Sequence, residues 1–122
     1  MHTILVVEDE QDIRLALQDL LKQDGYVVVG ATNGLDALNL LSKIDKPSLI
    51  ILDHNMHTMT GQEFLDIKNK SSDFSKIPVV VISATIDPRD VRGAQASLPK
   101  PFNVKELLRL VEKYCDKTLS KT

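Results

Sequence analysis

The sequence predicts an α/β fold, a doubly wound five-stranded parallel sheet in the strand order 2-1-3-4-5. Short apolar runs alternate along the chain with segments whose apolar residues recur at helical spacing, as in βαβ units. Residues 4–7 and 49–52 are apolar without a polar face, which is typical of strands that helices cover on both sides. Pro99 falls in the last run, and because proline lacks a ladder donor it belongs on an edge strand.

The individual elements follow from the same patterns. Strands are predicted at residues 4–7, 26–29, 49–52, 78–82 and 96–99. Helices are predicted at residues 10–23, from residue 34 to a point before Pro47, at residues 61–70 and from residue 104 onward. The third helix is expected to bury Phe64, Leu65 and Ile67. Residues 87–93 contain a proline and only one large apolar residue, Val91, which favours a short helix or an irregular loop.

Composition narrows the class of protein. The 122 residues suit one domain, which we place at residues 1–116 with a frayed C-terminal tail at residues 117–122. The net charge of −2 lacks the excess of positive charge that nucleic-acid binding usually needs. The single cysteine permits a reducing compartment, and the apolar runs are far shorter than the about 20 residues of a membrane span. We therefore expect a cytoplasmic protein that binds neither nucleic acid nor membrane.

Polar side chains stand at the ends of four predicted strands. Glu8 and Asp9 follow the first, Asp53 the third, Ser83 the fourth and Lys100 the fifth, and these ends meet at one edge of the sheet. Two like charges at ~4 Å repel by about 4 kcal/mol at an effective dielectric of 20, so three carboxylates there need protons or a cation. Oxygen ligands of this kind suit Mg²⁺. With a metal, an ammonium and a hydroxyl around it, Asp53 is placed to attack phosphorus.

These residues resemble the motifs of a known family. They comprise Glu8-Asp9 after the first strand, Asp53 followed by Met56, Met59 and Gly61, Ser83-Ala84 after the fourth strand, and Lys100-Pro101-Phe102. The chain is similar over nearly its whole length to receiver domains of two-component response regulators, including chemotaxis regulators, which have a flavodoxin-like fold. The resemblance implies a phosphoacceptor in a phosphorelay that switches partner binding rather than a turnover enzyme.

The resemblance also assigns roles to individual residues. Asp53 accepts a phosphoryl group from a histidine kinase or a phosphotransfer protein, and the downstream protein is unknown. Asp9 and Asp53 bind Mg²⁺ directly, Glu8 binds it through water, and Asn55 binds it through its backbone carbonyl. Ser83 and Lys100 hold phosphoryl oxygens, and the Lys100–Pro101 bond is expected to be cis. Asn55 and Thr85 occupy positions that tune dephosphorylation in such domains.

Three features depart from the family pattern. His57 stands where the family usually has proline, and Ser97 stands where it has the aromatic residue that rotates during switching. The segment between Ser83 and Lys100 is also shorter than usual. Because Ser97 is too small for the aromatic switch, we expect residues 86–93 to be mobile before phosphorylation and to become ordered by it.

Four alternatives use the same residues differently. A pseudo-receiver would be a protein-interaction module that works without phosphorylation. A flavodoxin-like FMN protein would need a phosphate loop after the first strand, where the acidic residues at 8–10 would repel phosphate. A phosphatase with an aspartyl intermediate would carry a second aspartate where Asn55 stands. His54 and His57 beside Asp53 could bind a soft metal, but no further ligand has suitable spacing.

Overall fold

The computed structural model describes residues 2–54, 59–84 and 93–115. Within these ranges the chain forms five strands and four helices. In chain order they are β1 (Thr3–Val7), α1 (Gln11–Gln23), β2 (Val27–Ala31), α2 (Gly34–Leu41), β3 (Leu49–Asp53), α3 (Gly61–Lys70), β4 (Val79–Ser83), β5 (Ala96–Pro99) and α4 (Val104–Cys115). No helix in the described ranges has the length and apolar content needed to cross a bilayer.

The strands form one parallel sheet in the order β2-β1-β3-β4-β5, which confirms the predicted topology. The ladder between β1 and β3 ends where Val7 pairs with Leu52, so Asp53 lies one residue beyond it. Asp53 still pairs with Ile82 of β4. This register sets the carboxylate at the carboxyl edge of the sheet instead of in its interior.

Two helix layers cover the sheet, as a doubly wound fold requires. Helices α1 and α4 pack on one face through Leu17, Leu21, Leu107 and Val111. Helices α2 and α3 pack on the other face, together with alternate residues of β1 and β3. Strands β3 and β4 are buried at every position, because neighbouring strands and both helix layers enclose them.

Some predicted boundaries are wrong by a few residues. The second strand begins at Val27 and continues to Ala31, because the amide of Tyr26 is bonded to Leu21 at the end of α1 and the ladder with β1 extends past the valines. The second helix ends at Leu41, which agrees with its predicted end before Pro47. The first helix starts one residue later than predicted, since residue 10 is its N-cap.

Several sequence predictions lie outside the described residues. They concern Asn55, Met56, His57, Thr85, the short helix or loop at residues 87–92 and the tail at residues 117–122. Gly93, the last residue of the predicted mobile segment, is described and has a positive φ of 88°. The side-chain amide of Asn69 donates to the carbonyl oxygen of Gly93 at 3.3 Å, so α3 contacts the chain just before β5.

Helix α3 buries a lysine where an isoleucine was expected. Ile67 is 46% exposed, whereas Lys68 is fully buried. The Lys68 Nζ donates hydrogen bonds to Asn69 Oδ1 at 2.9 Å and to the Ser75 carbonyl at 3.1 Å. Burial lowers the pKa of Lys68, since the charged form loses its hydration.

Replacing Lys68 with Met is expected to remove a pH dependence of stability. Because the pKa of Lys68 is lower in the folded chain, the unfolded chain binds more protons, and stability rises as pH increases toward the unfolded pKa of about 10.4. Each unit of depression corresponds to about 1.4 kcal/mol. Urea unfolding at several alkaline pH values should show this rise in the wild type but not in Lys68→Met. An unchanged slope in Lys68→Met would refute the assignment, and Lys70→Met, at an exposed position on the same helix, is the control.

Candidate functional site

The acidic pair follows β1 without a break in hydrogen bonding. The amide of Glu8 donates to the Ala31 carbonyl at 3.1 Å and so continues the ladder with β2. The Glu8 side chain turns inward, is 2% exposed, and accepts a hydrogen bond from the Glu10 amide at 3.2 Å. Asp9 is half-buried. The turn therefore presents two carboxylates between the end of β1 and the start of α1.

Asp53 is the last residue of β3 and is 3% exposed. Two hydrogen bonds fix the backbone that follows Asp53. The His54 amide donates to the Ile82 carbonyl at 3.0 Å, and the Gly61 amide donates to the His54 carbonyl at 3.3 Å. A Cβ on Gly61 would lie 2.8 Å from the His54 Cα, so the start of α3 can approach the strand end this closely only with glycine. Strand and helix together hold Asp53 at the bottom of the cleft.

Carboxylate oxygens of Glu8, Asp9 and Asp53 lie within 4.8 Å of one another, as the sequence predicted. The Lys100 Nζ lies 3.0 Å from Asp53 Oδ1 and 3.4 Å from Glu8 Oε1. Three acidic oxygen donors this close fit a small hard cation such as Mg²⁺. Among the described residues, this trio is the one group of three or more metal-ligating side chains that meets that spacing.

Burial and the neighbouring charges shift the pKa values of Glu8 and Lys100. Burial and the hydrogen bond to Asp53 raise the pKa of Glu8 to about 7. Burial works to lower the pKa of Lys100, but the hydrogen bond and charge of Asp53 outweigh it and raise that pKa. Near neutral pH the carboxylates thus relieve their repulsion through the Lys100 ammonium and a proton on Glu8.

With chelator present, the protein is expected to lose stability as pH rises from about 4.5 to 7. In this window the folded chain holds a proton on Glu8 that the unfolded chain has released, so folding is favoured at the acidic end. The loss is on the order of 2–3 kcal/mol. Urea unfolding of the wild type and Glu8→Gln should differ in slope across the window. Parallel pH profiles would contradict the raised pKa.

The structure brings Ser83 and Lys100 to the same edge of the sheet. Ser83 ends β4, is 5% exposed and pairs with Pro99, while its carbonyl accepts the Lys100 amide at 2.9 Å. The Lys100–Pro101 bond is cis, which confirms that prediction. Asn55, the fourth predicted metal ligand, lies outside the described residues.

Sequence reasoning missed one residue beside the cluster. The guanidinium of Arg14, on the first turns of α1, donates from Nη1 to the Glu8 carbonyl at 2.9 Å. The sequence feature that could have indicated Arg14 is a basic residue on the predicted helix, six positions after Glu8. An isolated arginine near a helix start has many other uses, so spacing did not single it out.

Comparison with known proteins places this site in a family. Residues 4–112 match the model of the response regulator receiver domain. This chain belongs to that family. The receiver domain is 33% identical over 116 residues to sporulation initiation phosphotransferase F of Bacillus subtilis, covering 91% of each chain. It superposes on chemotaxis protein CheY4 of Vibrio cholerae with a TM-score of 0.85 at 30% identity, covering 93% of this chain and 98% of that one.

A further similar structure was solved with a divalent metal ion bound. The Mn²⁺-bound form of response regulator Rcp1 has a TM-score of 0.75 and 28% identity to this receiver domain, covering 93% of this chain and 91% of that one. Receiver domains bind Mg²⁺ at an acidic pocket, and in this chain Glu8, Asp9 and Asp53 form an acidic cluster. They act as signalling modules in two-component systems and are generally not enzymes.

Proposed function

We propose that this receiver domain accepts a phosphoryl group on Asp53 and switches the binding of a downstream protein. The observation that supports it best is the contact of Asp53 with Lys100 at 3.0 Å inside a cluster of three carboxylates. The nucleophile, the residues for a cation and a charge-neutralising ammonium occupy one cleft. A metal site with a purely structural role would not need the lysine.

The chemistry needs no activating base. An oxygen of the Asp53 carboxylate attacks phosphorus, an acyl phosphate P–O bond forms, and the P–N bond of a phosphohistidine breaks. The imidazole leaves with the electron pair of that bond and takes up a proton. Lys100 holds one phosphoryl oxygen, and the Ser83 hydroxyl donates to another. Water attack on phosphorus later regenerates the carboxylate.

Mg²⁺ fits the acidic oxygens of this chain. Asp9 and Asp53 would hold it directly, Glu8 through water and Asn55 through its carbonyl oxygen. When bound, the ion neutralises charge on the transferring phosphoryl group. The Lys100 ammonium forms an ion pair with the Asp53 carboxylate, so it can neutralise negative charge beside the cation.

The proposed donor is a histidine kinase or a phosphotransfer protein. Family membership supports this class, and the similar Bacillus subtilis protein is itself described as a phosphotransferase. Asp53 is 3% exposed, so the donor has to deliver its phosphoryl group into the cleft at the sheet edge.

The test is an amide spectrum recorded with Mg²⁺ and beryllofluoride, which mimics a phosphoryl group. The expected result is a set of shifts at Glu8–Glu10, Ser83 and Lys100 beyond those that Mg²⁺ alone produces. Asp53→Asn treated identically should show no beryllofluoride-dependent shifts. Wild-type spectra unchanged by both reagents would refute phosphoacceptance and leave the alternative of an interaction module that works without phosphorylation.

A further inference from the structure

The backbone between β1 and α1 is held by more than the sheet. Glu8 uses its amide toward Ala31, its side chain toward the Glu10 amide, and its carbonyl toward the Arg14 guanidinium. The backbone amide of Arg14 also donates to the Glu10 carbonyl at 2.9 Å. That main-chain bond is the first regular bond of α1, so the contact specific to the arginine side chain is the one to the Glu8 carbonyl.

The carbonyl that Arg14 binds belongs to the peptide joining Glu8 to Asp9. Rotation of that peptide changes ψ of Glu8 and φ of Asp9 together, and so changes the direction in which the Asp9 side chain leaves the backbone. A hydrogen bond from a charged donor at 2.9 Å opposes such rotation. Metal sites depend on groups of this kind, which orient the ligands without touching the ion.

We propose that Arg14 is a positioning residue of the cation site, which holds the Glu8–Asp9 peptide in the orientation that brings both carboxylates toward Asp53. It acts through the Glu8 carbonyl and not as a ligand. The inference rests on the proposed function, because it assigns a role at that cation site. Because Arg14 lies on α1 and is not itself a carboxylate, it can be substituted without altering any carboxylate of the cluster.

Two effects of Arg14 on cation affinity have opposite signs. Its positive charge repels Mg²⁺, so removal of the charge would by itself tighten binding. Its hydrogen bond orients the acidic turn, so removal of the bond would weaken binding. The direction of change in Arg14→Met therefore distinguishes positioning from simple electrostatics.

The experiment is a Mg²⁺ titration followed by amide shifts in four proteins. The variants are Arg14→Met, Arg14→Lys and Lys22→Met, the last of which removes a positive charge from an exposed position in the last turn of the same helix. Arg14→Met is expected to bind Mg²⁺ about 10-fold more weakly, the lower end of the loss for a group that orients a metal ligand without touching the ion. Arg14→Lys, which keeps the charge and a donor, should restore most of the affinity, and Lys22→Met should match the wild type.

A second readout needs no metal. With chelator present, hydrogen exchange at Asp9 and Glu10 should be faster in Arg14→Met than in the wild type and unchanged in Lys22→Met. Equal or tighter Mg²⁺ binding by Arg14→Met, or unchanged exchange in the turn, would overturn the positioning role while leaving the proposed function intact. Absence of Mg²⁺ binding by the wild type would overturn both.

Discussion

Replacing Asp53 with Asn is expected to abolish phosphorylation by acetyl phosphate and Mg²⁺. The amide lacks the negative oxygen that attacks phosphorus, while its nearly identical shape preserves the packing of a residue that is 3% exposed. Intact-mass spectrometry should show one added phosphoryl group on the wild type and none on the variant. Peptide mapping should then place the group on Asp53.

The control for this experiment is Asp19→Asn, at an exposed position on α1, which should label like the wild type. Beyond losing the nucleophile, Asp53→Asn removes the carboxylate that Lys100 contacts at 3.0 Å. The thermal midpoint of each variant should therefore be measured, so that unfolding is not mistaken for loss of the acceptor. Full labelling of a folded Asp53→Asn protein would show that another residue is the phosphoacceptor.

Replacing Asp9 with Ala is expected to weaken Mg²⁺ binding by at least about tenfold, since it removes one of the two carboxylates proposed to hold the ion directly. Calorimetric or amide-shift titration measures the change. Asp12→Ala removes the same charge from an exposed position in the first turn of α1 and should have little effect. Equal losses in the two variants would indicate that general electrostatic attraction, not ligation by Asp9, accounts for the affinity.

The same variant has a second expected effect, opposite in sign. With chelator present, Asp9→Ala removes one negative charge from the acidic cluster and should not lower the free energy of unfolding. A substitution that simply damaged the fold would lower both stability and cation affinity. Weaker binding with retained stability therefore identifies a ligand.

Much of the fold and the site geometry follow from the ends of the strands. Strands buried on both faces are recognisable in sequence because they are apolar throughout, and their first polar residue marks the carboxyl edge of the sheet. Glu8, Asp53 and Ser83 were found in this way, and the structure brings Glu8 and Asp53 together around Lys100. The alternation of strands and helices indicates a doubly wound sheet, for which 2-1-3-4-5 is one of the common strand orders.

The sequence could not predict features that depend on tertiary contacts. Hydrophobicity favoured Ile67 as a buried residue, but Lys68 faces the core because its long apolar stem packs inside while its Nζ reaches the Ser75 carbonyl. The bond from Arg14 to a main-chain carbonyl also has no sequence signature.

The pairing of Ser83 with Pro99 has a consequence for insertions and deletions. The two residues are adjacent in the sheet, and the Lys100 amide binds the Ser83 carbonyl, so the hydroxyl and the ammonium are brought together by strand register. The connection between them contributes neither contact, and the entropy of closing a loop changes only slowly with its length. A connection as short as the sequence analysis expects would therefore still keep both groups at the same edge of the sheet. A one-residue deletion within β4 or β5 would instead turn one of them to the opposite face of the sheet.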